Sequence, residues 1–184
     1  MRKLVLQMGM SLDGLVARPG RHGAGGWGLP SEDPALKQRK LEWLRGAGLH
    51  LMGRNTYEEM AEAWPVSDDP YAAPMNDIPK VVFSKTLERA DWAKSRVARG
   101  DLATEISELR RESGGDMIAW GGAAFAQSLA RLGLVDEYRL VLQPVALGHG
   151  LPLFKDLTAP LRLELVDAQT YDSGAALHVY HPAA

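Results

Sequence analysis

Apolar residues recur along the chain in short runs, and their spacing switches between the two-residue period of strands and the three-to-four-residue period of helices. Lys3 to Met10 is a compact apolar run closed by the turn signal Asp13-Gly14, and it predicts a buried strand. Residues 18–30 are crowded with glycine and proline and predict a loop of the kind that borders active sites. Ser31 and Pro34 open a helix with Leu36, Leu41 and Leu44 on one face, ended by Gly46 or Gly48. Leu49 to Met52 predicts a second strand, and Gly53 leads into a short helix through Tyr57, Met60 and Ala61. A proline-rich stretch, 65–79, predicts a loop before a third strand at Lys80 to Phe83. Leu102, Ile106 and Leu109 share a helix face that Gly114-Gly115 terminates. Asp116 to Trp120 is strand-like again, and Ala123 to Leu132 is a helix after Gly121-Gly122. Strands at Glu137 to Val145, Leu161 to Thr170 and Ala175 to His181 follow, the last two joined at Asp172-Ser173-Gly174.

This alternation predicts an α/β protein with a central mixed, mostly parallel sheet flanked by helices and an antiparallel hairpin at the C-terminal end. No repeat or linker divides the 184 residues, so one domain, 1–184, is expected. Composition narrows the chemistry. The absence of cysteine excludes thiol nucleophiles, redox pairs and thiolate zinc sites. A net charge of −2 argues against partners that need a basic face, nucleic acid or anionic membrane. The start, MRKLVLQMGMSLDG, is too short and polar for a secretory leader, and no apolar run approaches a membrane span. A cytoplasmic location is expected.

Three predicted strand ends carry residues suited to anions. Gly53-Arg54-Asn55-Thr56 places a guanidinium, a hydroxyl and free backbone N–H groups at a helix start, where a phosphate could sit. The same residues also make an ordinary capped helix with a solvated Arg54. Gly121-Gly122 lets backbone approach a ligand closely, or simply forms a tight turn. Ser84, Lys85 and Thr86 set two hydroxyls and a cation just beyond the third strand. By contrast, Gly23 to Gly28 satisfies the dinucleotide pattern GxGxxG without the strand-to-helix turn it requires, and reads as loop. Candidate acids are Asp13, Glu32 and Asp33, which border the glycine-rich segment with Trp27 and Leu29; a turn and helix-start preferences account for them equally well. The histidines form no metal-binding spacing, and no serine has a nucleophile-elbow context.

Taken in order, a set of short motifs resembles the dihydrofolate-reductase-like superfamily. They are Met10-Ser-Leu-Asp-Gly14, Gly53-Arg-Asn-Thr56, Phe83-Ser84, Gly121-Gly122, Leu134-Val-Asp136-Glu137 and Pro144-Val-Ala-Leu-Gly148-His-Gly150-Leu-Pro-Leu-Phe154. The branch most similar is the reductase domain of the bifunctional riboflavin-biosynthesis deaminase-reductase, here as a stand-alone member. That branch usually has a basic residue after SLDG, where this chain has Leu15. The GRNTYE stretch is closer to dihydrofolate reductase, and the cysteines of the deaminase zinc site have no counterpart.

The resemblance implies an NADPH-dependent reductase acting on a small molecule, pterin-like or a phosphoribosylamino-pyrimidine, and a homodimer. It implies that Gly53, Arg54, Asn55 and Thr56 hold the cofactor phosphates, with Arg54 near the 2′-phosphate. Ser84, Lys85 and Thr86 would lie by the adenosine, and Gly121, Gly122 and Ala123 along the pyrophosphate. Val16 and Ala17 would flank the nicotinamide, while Met8, Gly9 and Trp27 would line the substrate pocket. Trp27-Gly-Leu-Pro30-Ser-Glu32 is similar to the segment delivering the single acid of dihydrofolate reductase, which makes Glu32 the implied proton donor, with Asp33 and Asp13 behind it. Two other readings stand beside this one: dihydrofolate reductase proper, and a non-catalytic nucleotide-binding protein that kept the fold.

Overall fold

The apolar runs become strands, and the aspartate, proline and glycine positions between them set where each element starts and stops. The computed structural model describes residues 1–18, 27 and 32–183. Strand β1 (Leu4–Ser11) ends at a turn in which Gly14 takes φ +81°, a left-handed conformation that favours glycine. The short strand β2 (Leu15–Ala17) follows. Helix α1 (Pro34–Arg45) begins with proline, and the Asp33 carboxylate caps it by accepting from the Ala35 and Leu36 N–H groups. Next come β3 (Ala47–Gly53), α2 (Arg54–Ala63), a 3-10 turn (Trp64–Val66), α3 (Ala72–Asp77), β4 (Lys80–Phe83) and β5 (Ser95–Ala98). Helix α4 (Leu102–Arg111), capped by Asp101, leads to β6 (Asp116–Ala119), α5 (Ala123–Arg131), β7 (Glu137–Gln143) and β8 (Leu151–Pro152). The hairpin of β9 (Leu163–Thr170) and β10 (Ala176–Pro182) closes the chain.

Eight strands form one sheet in the order β5-β4-β3-β6-β1-β7-β10-β9, parallel from β5 to β7 and antiparallel beyond. Strand β1 is central, with Leu6 opposite Ala119 on one side and Gln7 opposite Arg139 on the other. Its even-numbered residues Leu4 and Leu6 pack with Ile106 and Leu109 of α4 and Ala126 and Leu129 of α5. Strand periodicity therefore turns Val5, Gln7 and Gly9 to the opposite face. On that face Leu44 packs with Met52 and Ile118, and Leu36 with Val141 and Leu177, so α1 lies across it. The chain leaves β1 towards β3 and β4 and later returns through α4, β6 and α5 to β7. That reversal falls between β1 and β6, the place where open α/β sheets form a ligand crevice at the carboxyl ends of their strands. A second, two-stranded sheet joins β2 to β8 and fastens the loop after β1 to the loop after β7.

The mixed sheet with a C-terminal hairpin agrees with the pattern of apolar positions. Strand β4 has the expected bounds, and most other ends shift by one to four residues. The stretch 65–79 is a correction: it holds part of the 3-10 turn and all of α3, because Tyr71 and Met75 provide enough apolar surface to join the cluster of Trp92 and Leu44. Strands β2, β5 and β8 were not expected either; they are two to four residues long, and in β5 only Ala98 is fully buried. The glycine-rich run 23–28 and the helix start at Ser31 lie outside the described residues, Trp27 excepted.

Candidate active site

Two helices point bare N-termini at one cleft. The N-caps of α2 and α5 are Gly53 and Gly122, and neither helix has a side-chain cap, whereas α1 and α4 both have aspartate caps. The free N–H groups at such ends, with the partial positive charge of the helix, favour an anion. The strand ends are held together by the Gly53 N–H, which donates to the Gly121 carbonyl at 3.5 Å. Gly53, Arg54, Asn55, Phe83, Gly122 and Ala123 are among the residues lining a cleft of about 360 Å³, floored by the stacked rings of Phe83 and Phe125.

The glycines are needed here. Gly122 has φ +77°, and a Cβ on it would lie 3.1 Å from the Thr56 hydroxyl; Gly121 has φ +96°, and a Cβ there would lie 2.7 Å from Met8 Cε. Arg54 leans along the rim, paired to Glu58 at 2.7 Å and donating to the Thr86 hydroxyl at 3.0 Å. Ser84 accepts from the Thr86 and Leu87 N–H groups and so shapes the turn that presents Thr86, with Lys85 exposed beside it. Donors, a cation and close backbone at one opening fit the phosphates of a nucleotide.

Burial changes along β1. The strand is paired on both edges, yet only Leu4 to Gln7 are fully buried before Met8, Gly9 and Met10 become partly exposed. Trp27 is buried, and its indole N–H has no partner among the described residues. Val16 and Ala17 are 1% and 2% exposed and pack within the core.

The three candidate acids separate clearly. Asp13 accepts from the Ser11 hydroxyl and from the Leu147 and Gly148 N–H groups, which together lower its carboxyl to about 2. At neutral pH it has no proton to give, and it acts as a staple between two loops. Asp33 is used as the α1 cap and also accepts from the Ser173 N–H. Glu32 alone keeps side-chain partners of a different kind: the Tyr71 hydroxyl donates to Oε2 at 2.9 Å, and the Lys40 ammonium pairs with Oε1. Burial, and then the neighbouring Glu32 carboxylate, raise the Tyr71 hydroxyl far above its ordinary value, so it remains a donor. Gln7 was overlooked in the sequence. A polar amide inside an apolar strand was the signal, and in the fold its side chain is buried.

The order of these strand ends has a counterpart among known proteins, since the model of the RibD C-terminal domain family matches residues 2–177. The chain belongs to that family. Like other chains similar to RibD C-terminal domains, it has the dihydrofolate-reductase-like fold. The uncharacterized protein YyaP of Bacillus subtilis (strain 168) is 29% identical over 185 residues, covering 98% of this chain and 95% of that protein. A riboflavin biosynthesis candidate from Shewanella sp. PV-4 superposes with a TM-score of 0.78 over the full length of both chains at 23% identity. Enterococcus faecalis dihydrofolate reductase, solved with NADP(H), gives a TM-score of 0.64 at 17% identity over 99% of this chain and 97% of that one. The two solved structures establish the fold that this RibD C-terminal family chain shares with them. No helix among the described residues is long and apolar enough to cross a membrane.

Proposed function

We propose that the protein is an NADPH-dependent reductase of the riboflavin-pathway type, reducing an unsaturated carbon of a phosphoribosylamino-pyrimidine or pterin-like substrate. The observation that carries this reading is the pair of uncapped helix N-termini, α2 and α5, meeting Arg54 at one cleft. Bound NADPH would supply a hydride, one hydrogen nucleus with two electrons, to the acceptor carbon, and the adjoining heteroatom would take a proton. The chain's own work is placement. The N–H groups following Gly53 and Gly122 receive phosphate oxygens, Arg54 faces the 2′-phosphate with Thr86 holding it in place, and Ser84 and Lys85 lie by the adenosine. Backbone at Val16 and Ala17 flanks the nicotinamide, while Met8, Gly9 and Trp27 line the substrate side. Glu32, its carboxylate oriented by Lys40 and Tyr71, passes to the substrate a proton taken from water.

The same reading includes a homodimer in the cytoplasm. Strand β9 forms the sheet edge with exposed residues on both faces, Leu165 and Val166 among them, and a second copy is the occupant that would cover it. Sedimentation equilibrium reads the mass directly.

The decisive experiment is a fluorescence titration with NADPH and NADH, followed by NADPH-oxidation assays on the phosphoribosylamino-pyrimidine and on dihydrofolate. NADPH is expected to bind more tightly than NADH, and Arg54→Ala to erase at least tenfold of that preference, the size of one charge-assisted hydrogen bond. No binding at millimolar NADPH would sink the cofactor assignment. Binding without turnover on either substrate would leave a nucleotide-binding protein, and turnover on dihydrofolate alone would make it a dihydrofolate reductase.

A further inference from the structure

Arg54 opens α2 and is the charged residue lining the cleft at the two bare helix ends. Its guanidinium is held at two points. Nε donates to Glu58 Oε1 at 2.7 Å, one helical turn on, and Nη1 donates to the Thr86 hydroxyl at 3.0 Å. A guanidinium has five N–H groups and these bonds use two, so three are left, on the side away from Glu58. Thr86 is a neutral partner and leaves the positive charge whole. Glu58 is a counter-charge on the very group that would receive a phosphate. Nothing else neutralises it: among the described residues no lysine or arginine other than Arg54 lies within ion-pair distance of its carboxylate. On its other side Glu58 lines a second groove with Glu62, Arg89 and Asp91. There Arg89 is paired to Asp91 at 2.6 Å, and Glu62 has no ion-pair partner among the described residues.

We propose that Glu58 determines cofactor specificity by holding down the affinity of Arg54 for a 2′-phosphate. The inference rests on the reductase reading and concerns a residue that reading leaves unused. The carboxylate acts on Arg54 in two opposed ways. As the acceptor from Nε it fixes the plane of the guanidinium, and as a charge it repels any anion bound on the far side of that group. Both side chains are nearly half exposed, at 45% and 47%, so the pair is a weak restraint, and Thr86 supplies another. Orientation is therefore the smaller effect. A phosphate monoester carries close to two negative charges at neutral pH and would sit well within a Debye length of the carboxylate, so repulsion is the larger. A 2′-hydroxyl has no charge to repel and can donate to a carboxylate. Glu58 thus narrows the gap between NADPH and NADH that Arg54 opens.

Fluorescence titration of the wild type, Glu58→Gln and Glu58→Ala with NADPH and with NADH, at low and at high salt, tests it. Glu58→Gln keeps an acceptor for Nε and removes only the charge. It is expected to raise the preference for NADPH over NADH by roughly threefold or more at low salt, and the gain should shrink as ionic strength rises. Glu58→Ala is expected to raise the preference too, and thermal melting checks that each variant is folded, so that one remains readable if the other fails. A purely structural role predicts the opposite sign, because a loosened Arg54 would bind the 2′-phosphate less well. An unchanged or lowered preference in the folded variants, or a gain that does not respond to salt, would overturn the assignment. The two claims fail separately. NADPH bound by none of the three proteins would remove the reductase reading and this inference with it, whereas binding with an unmoved preference strikes Glu58 alone.

Discussion

Two regions on the same face of the sheet bury polar side chains and treat them in opposite ways. At the corner where β4 begins, Lys80 is 1% exposed, yet its ammonium donates to the carbonyls of Asn76, Ile78 and Ala93 and lies 4.4 Å over the Trp92 ring. His50, opposite Lys80 in the register and fully buried, is equally well provided for. Its Nδ1 accepts from the Trp120 indole at 2.8 Å, which fixes the proton on Nε2, and Nε2 donates to the Pro74 carbonyl at 3.2 Å. Trp92 in turn donates to the Asn76 side chain. Lys80, His50, Trp92, Trp120 and Asn76 are all paired in this corner, where among the described residues only the Ser95 hydroxyl opposite Lys80 is left over, and together they hold α3 against the sheet. At β1 the Gln7 amide answers nothing. A satisfied buried polar group is part of the scaffold, whereas an unsatisfied one costs stability.

The contrast makes three further predictions about stability. Lys80→Met should have the largest effect, because it removes three charge-assisted hydrogen bonds at once and strands their carbonyls; a loss of about 4 kcal/mol is expected from chemical denaturation. A loss below about 1 kcal/mol would mean that the corner does not hold α3 as described. His50 comes next. Burial, opposed by its bond to Pro74 and aided by the charge of Lys80, lowers the imidazole to about 4 from 6.5. The unfolded chain therefore binds a proton that the folded chain does not between those two values, so stability is full above 6.5 and falls as the pH drops towards 4. The fall should total about 3 kcal/mol and vanish from the pH profile of His50→Gln, whatever that variant's absolute stability. Gln7→Leu has the smallest effect and the opposite sign. Removing an amide that has no partner should raise stability by about 1 kcal/mol in denaturant titrations without ligand. A clear loss instead would erase the distinction between the two regions.

Much of this was legible in the residues. Lys80 to Phe83 reads as a strand because all four positions are strand formers or apolar stems, and Leu102, Ile106 and Leu109 fix α4 by spacing alone. The glycine at each strand end could be read as an anion site or as a turn. Only the fold showed that α2 and α5 lack side-chain caps and open on one cleft. The acids were harder. Asp13 and Asp33 differ from Glu32 through partners 134 and 140 residues away, Leu147 and Ser173, which no local pattern can supply. Gln7 stood in plain view within LVLQMGMS, but a polar residue in a strand becomes informative only when both flanking strands and the covering helix are known.

The two aspartates that lost the acid's role have another consequence. Asp13, with β2 against β8, anchors the chain as it leaves the sheet, and Asp33, bonded to Ser173, anchors it where α1 begins. The stretch between these moorings is thus tied at its two ends by bonds made outside it, so the strand ends that line the cleft keep their own partners when that stretch is changed.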